Sequence, residues 1–180
     1  MQDLDQQLRQ IQHTARDLLA GLSHVQANWT PERSSWSILQ CLAHISVSTR
    51  LYLTSIDKSI RQGRMKNLFG DRPFEYSRFG RWVMRSVEPP PKFRVKTGRA
   101  YVPPANLELT AVLAEFCAMH QQARDTLVRC DGLDLARCRM GHPSLPVLRV
   151  SLGLGLAVLT GHARRHLWQA EQVKKNAGFP

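Results

Sequence analysis

Apolar residues recur at steps of three and four along four stretches of this chain, with polar residues filling the intervals. Leu4, Leu8, Ile11, Ala15, Leu18, Leu19 and Leu22 give residues 3–25 the period of an amphipathic helix. Pro31 interrupts the pattern. Ser37 then stands three residues before Gln40, a capping-box spacing, with Trp36 and Cys41 placed as its hydrophobic staple. A second helix is therefore expected from Ser37 to about Arg61, with Leu42, Ile45, Leu51 and Leu53 among its apolar positions. A third spans about Leu107 to Arg129, and a fourth about Pro146 to Lys175, where Lys174 and Lys175 suit the negative end of the helix dipole. Between the second and third, residues 62–105 read as irregular, with a short helix from Phe74 to Val87 that Pro89-Pro90-Pro91 ends. No strand-length alternation and no internal repeat stand out. The pattern predicts one all-α domain over residues 1–180, a four-helix bundle with a long irregular crossover between helices 2 and 3.

Composition adds limits. A hydrophobic content of 43% in 180 residues suits a globular core and is too high for disorder. The longest apolar stretch, Val147 to Thr160, is broken by Arg149, Ser151, Gly153 and Gly155 and is too short to span a bilayer, so no membrane partner is expected. The first residues carry no secretory pattern. Cys41, Cys117, Cys130 and Cys138 show no CxxC spacing. Reduced thiols in a cytoplasm are the expectation. The net charge of +11 is concentrated: Lys58 to Arg99 carries +9 and the rest of the chain +2. Such an excess either forms a solvated surface or raises the local concentration of an anionic partner.

The sharpest chemical signal is histidine spacing. His162 and His166 are four residues apart on the fourth helix, about 40° apart around its axis, so their imidazoles share one face. His44 lies on the second helix. Two imidazoles at i and i+4 can occupy neighbouring sites on a divalent cation, and a third from another helix would complete an open three-ligand site. Exposed polar residues, or hydrogen-bonded core groups, are the alternatives. His13, His24, His120 and His142 match no pattern: two surface residues, a flank of the third helix and a loop residue.

Trp-Ser-x-x-Gln-x-x-x-His-Ile at 36–45 and Gly-His-x-x-x-His-x-x-Gln at 161–169 resemble the DinB-like family of metal-binding four-helix bundles. Pro89-Pro90-Pro91-Lys92-Phe93-Arg94-Val95 resembles the proline-rich crossover of one of its subgroups, and the likeness extends over about residues 5–175. It implies an up-up-down-down bundle, commonly a homodimer, with a divalent metal, zinc or nickel foremost, held by His44, His162 and His166. It also implies a metal-dependent enzyme of the thiol S-transferase type, in which the metal holds a low-molecular-weight thiol for transfer. On that reading the small-molecule substrate includes an anionic thiol whose carboxylates Arg94, Lys96 and Arg99 would neutralise.

Two alternatives remain. A metal-dependent hydrolase would use a metal-bound water, yet the sequence offers no evident general base, since Glu171 lies about 140° round the helix from His166. A basic binding or regulatory protein with a structural metal would use the charged segment and Trp82, Phe93 and Tyr101 on nucleic acid, which is not favoured because no reading motif is visible. Cys41, three residues before His44, either closes the site as a fourth ligand or is a small core residue.

Overall fold

The computed structural model describes residues 2–32, 34–91, 97–98, 101–143 and 145–180. Its elements are α1 (Gln2–Leu19), α2 (His24–Asn28), α3 (Ile38–Met65), α4 (Arg78–Val87), α5 (Leu109–Arg129), β1 (Arg139–His142), β2 (Leu145–Ser151) and α6 (Leu152–Lys174). The four long helices α1, α3, α5 and α6 form the bundle, and the all-α expectation holds apart from one small hairpin. No described helix is long and apolar enough to cross a membrane.

The connections fix the helix directions. Asp5 bonds Arg124 while Gln12 bonds the Cys117 carbonyl, so α1 and α5 are antiparallel. Gln7 bonds Arg164 while the Leu18 carbonyl receives Lys174, so α1 and α6 are parallel. Leu8 shares a core cluster with Ile56 and Ile60, and Ile11 and Ala15 share another with Ile38 and Leu42, which makes α1 and α3 antiparallel. The order is therefore up-down-down-up, a correction to the expected up-up-down-down. The reason is local. The link from α1 to α3, residues 20–37 with α2 inside it, joins antiparallel neighbours at one end of the bundle, whereas α3 and α5 run the same way and need a return path along it. With α3 at 28 residues, that path is about 42 Å, which is why the crossover is long.

A second correction concerns residues 145–151. They form a strand paired antiparallel with β1, Met140 facing Val150 and Gly141 facing Arg149, and the last helix starts only at Leu152. Ser151 ends the strand and caps the helix, its Oγ accepting from the Leu154 amide at 3.3 Å. At the other end of the first motif, Ser37 caps α3 as its spacing predicts, with Gln40 N to Ser37 Oγ at 3.1 Å and Ser37 N to Gln40 Oε1 at 3.0 Å.

The crossover is pressed onto α6. A Cβ at Gly153 would lie 2.5 Å from the Phe74 ring, and one at Gly161 would lie 3.2 Å from Met84, Val87 and Glu88 of α4 and its C-cap. Arg164, one turn on, donates Nε–H to Glu88 Oε2 at 3.0 Å and a second bond to Oε1. Asn28 clips the far end, donating to the Leu107 carbonyl at 2.9 Å and accepting from its amide at 2.8 Å. Glycine in a helix interior costs about 1 kcal/mol relative to alanine, and here it lets the second layer approach. Gly153→Ala should therefore destabilise the protein by about 1–3 kcal/mol despite alanine's better helix propensity. Urea unfolding of the variant measures this, and a midpoint at or above wild type would refute the close-packing role.

Candidate metal centre

His44 sits in the second turn of α3, and His162 and His166 sit in the middle of α6, which runs antiparallel to it. That register brings the three imidazoles together. Ring centroids are 5.2 Å apart for His44–His162, 4.5 Å for His44–His166 and 4.5 Å for His162–His166. One nitrogen from each ring lies within 4.8 Å of the others, so the group is able to hold a divalent metal ion. Bonds of about 2 Å to a shared ion set donor nitrogens roughly 3–4 Å apart. Binding would thus draw the rings inward by up to about an ångström, within reach of small χ rotations.

The surroundings select the donor atoms. His44 Nδ1 lies 2.8 Å from the Tyr101 carbonyl, and a carbonyl only accepts, so Nδ1 carries the proton and Nε2 keeps its lone pair. His166 Nδ1 lies 3.0 Å from Gln169 Oε1, which orients that ring in the same way. Ser48 Oγ stands 3.4 Å from His44 Nε2. Trp36 covers the cluster, stacked 5.7 Å from His166 and tilted 4.8 Å from His44. Burial leads the lowering of all three pKa values: His44 is lowered, His166 is lowered to about 3 with the charge of His44 contributing, and His162 falls well below its ordinary value, the nearby His166 and His44 adding to it. All three rings are neutral at pH 7, as metal ligation requires.

Cys41 is fully buried in the core around Ile38, Leu42 and Ala163, its thiol pKa pushed up by burial, and it is outside the donor group. Among the described residues no carboxylate joins that group either, and Glu171 instead approaches Lys175 at 3.9 Å. Gln40 is engaged in the α3 cap and reaches the Pro103 and Pro104 carbonyls at 3.4 Å. Arg94, Lys96, Arg99 and Phe93 lie outside the described residues. Trp82 is exposed against Phe79. His13 pairs with Asp17 and His24 with Glu108 on the surface.

Two histidines differ from their expected places. His120 is wholly buried against Phe116 rather than on a flank, its Nδ1 2.8 Å from the Phe116 carbonyl and its pKa lowered to about 4 by burial. His142 belongs to β1, with Nε2 3.2 Å from the Tyr52 hydroxyl and its charge felt at His162. Sequence reasoning also missed the roles of Trp36, the Tyr101 carbonyl and Arg165. Arg165 bonds the Ser86 carbonyl at 2.9 Å, and its charge disfavours protonation of His162 and His166. Its place between the two α6 histidines was the available signal; a main-chain carbonyl from residue 101 gives none.

A family model described as DinB superfamily matches residues 7–170, which contain all three histidines and both motifs. No curated protein and no solved structure matches the chain.

Two measurements check the site. His166 is neutral in the fold but protonates near pH 6.5 when unfolded, so the unfolded chain binds more protons between pH 6.5 and about 3. Metal-free protein should keep its stability above pH 6.5 and lose it as pH falls through that window. The share from His166 at pH 4.5 should be on the order of 2 kcal/mol, so urea unfolding of His166→Ala should show a shallower decline. Gln169→Leu leaves the His166 ring unoriented and should weaken metal affinity about tenfold or more, read by competition with a chromophoric chelator.

Proposed function

The chain belongs to the DinB superfamily, and from that premise and its three converging imidazoles we propose that it is a metal-dependent enzyme of the thiol S-transferase type. The observation that carries the reading is the composition of the donor group: three neutral nitrogens with no carboxylate and no cysteine among them. Such a set leaves a divalent ion its full charge and at least one position for an exchangeable ligand. Zinc or nickel suits it, imidazole being a good donor for both.

When bound, the ion would act as a Lewis acid that brings the pKa of a thiol toward neutrality. The protein's own groups prepare that step. The Tyr101 carbonyl and Gln169 hold two rings with their lone pairs inward. Trp36 limits water at the rings, and the Arg165 charge favours an anionic sulfur over a neutral one. In the transfer, sulfur loses its proton to solvent, a carbon–sulfur bond forms, and the bond from that carbon to its leaving group breaks. Hydrolysis is less well supported, because a water nucleophile needs a proton acceptor and the donor group holds no carboxylate. A homodimer in a cytoplasm remains part of the proposal, checked by light scattering of the purified protein.

Elemental analysis of wild type should find about one divalent ion per chain, and the His162→Ala variant should lose most of it. Metal-loaded protein incubated with chlorodinitrobenzene and a panel of low-molecular-weight thiols should give turnover that the His44→Ala/His162→Ala/His166→Ala variant lacks. Equal rates in the two proteins with every thiol would refute the transferase reading.

A further inference from the structure

The face of α3 that carries His44 continues into a groove roofed by the hairpin. At 100° and 1.5 Å per residue, Leu51, Ser55, Lys58 and Gln62 lie within about 40° of His44 around the helix axis, from about 10 to 27 Å beyond it. All four line a cavity of about 350 Å³ whose other wall is the hairpin, including Arg139, His142 and Arg149. His142, in the hairpin wall, is bonded to Tyr52, about two turns beyond His44 on α3.

The groove is one-signed. Lys58, Arg139 and Arg149 line it and no aspartate or glutamate does. Among the described residues none of these three cations has a carboxylate within ion-pairing distance. The two arginines brace each other across the hairpin, Arg139 Nη2 donating to the Arg149 carbonyl at 2.7 Å and Arg149 Nη2 to the Arg139 carbonyl at 3.3 Å. Each guanidinium has five N–H donors, so most of each fork is left for a ligand. Ser59 also lines the cavity. It is 1% exposed, and its Oγ finds no hydrogen-bond partner among the described residues. A buried hydroxyl without a partner is unfavourable, and an acceptor oxygen reaching it from the groove would relieve that.

We propose that this groove is an oxyanion-binding subsite for the far end of an extended small molecule whose reacting end lies at the histidine cluster. The occupant carries a phosphate or a carboxylate roughly 10–21 Å from its reactive atom, the rise along α3 from His44 to the stretch between Leu51 and Lys58. What lies at the triad end rests on the transferase reading; the anion subsite itself does not. The charged lining sits on α3 and the hairpin, partly outside the basic segment that the sequence alone brings forward.

Isothermal titration of wild-type protein with inorganic phosphate and, separately, with succinate tests the subsite. Saturable binding of either is expected. It should weaken tenfold or more in Lys58→Gln/Arg149→Gln and persist in the triple-alanine histidine variant. Phosphate alone binding assigns a phosphate end, and succinate alone a carboxylate end. Ser59→Ala should weaken binding severalfold without lowering thermal stability, which separates a ligand role from a folding role. Absence of saturable binding of both anions, or equal binding by the double variant, overturns the proposal. The span is tested on cobalt-loaded protein through its sulfur-to-cobalt absorption. Mercaptoundecanoate should saturate it at least tenfold below mercaptopropionate in wild type, and the double variant should abolish that advantage while leaving mercaptopropionate unchanged. An advantage retained in the double variant overturns the link between groove and triad. Failure of cobalt to bind at all would sink the metal reading, and the phosphate and succinate titrations would still decide the groove.

Discussion

Everything at the site depends on the antiparallel register of α3 against α6. The second turn of one helix must meet the fourth and fifth turns of the other, or His44 has no partners. Two cores hold that alignment. Ile38, Leu39, Leu42 and Ile45 pack with Ala163, Leu167 and Ala170 on the histidine side, and Ile56 and Ile60 pack with Leu152, Leu154 and Leu156 on the hairpin side. A slip of one helical turn, about 5.4 Å, would carry the His44 ring past both of its neighbours. The centre is thus a by-product of apolar packing on either side of it, and the imidazoles contribute little attraction of their own while uncharged.

The crossover supplies what the two helices cannot. Imidazole needs its second nitrogen fixed to be a dependable ligand, and α3 has no free backbone carbonyl to offer, since its own ladder uses them. Residue 101 arrives from outside the bundle with one. On the way, the glycines at 153 and 161 let Phe74 and then Met84, Val87 and Glu88 lie close against the first half of α6. The Arg164–Glu88 pair and the Asn28 clip then fix where it ends.

Much of this was legible in the residues. Helical period, the Ser37–Gln40 box and the i,i+4 histidines place four helices and three imidazoles, although the first helix stops at Leu19 rather than near residue 25 and the last starts at Leu152 rather than near Pro146. The hairpin was not legible, because Leu145 and Val147 are apolar yet exposed, and only Arg149 and Ser151 interrupt the apolar run from Leu145 into the start of α6. Periodicity cannot separate a short apolar strand from a helix end when both face the same way. Helix direction was illegible for another reason: it depends on which neighbours a long connection reaches, and no local pattern encodes that. Trp36 read as a capping staple because the local motif explains it fully, while its contacts with His44 and His166 come from the tertiary fold.

Because the bond to His44 Nδ1 comes from the main chain at residue 101, exchanging that tyrosine for another residue leaves the acceptor in place. The vulnerability is one of length instead. Deleting Tyr101, or inserting a residue directly after it, would change which carbonyl faces the ring, even though no histidine had changed. At residue 101 the acceptor is thus indifferent to the side chain it belongs to and sensitive to its position along the chain.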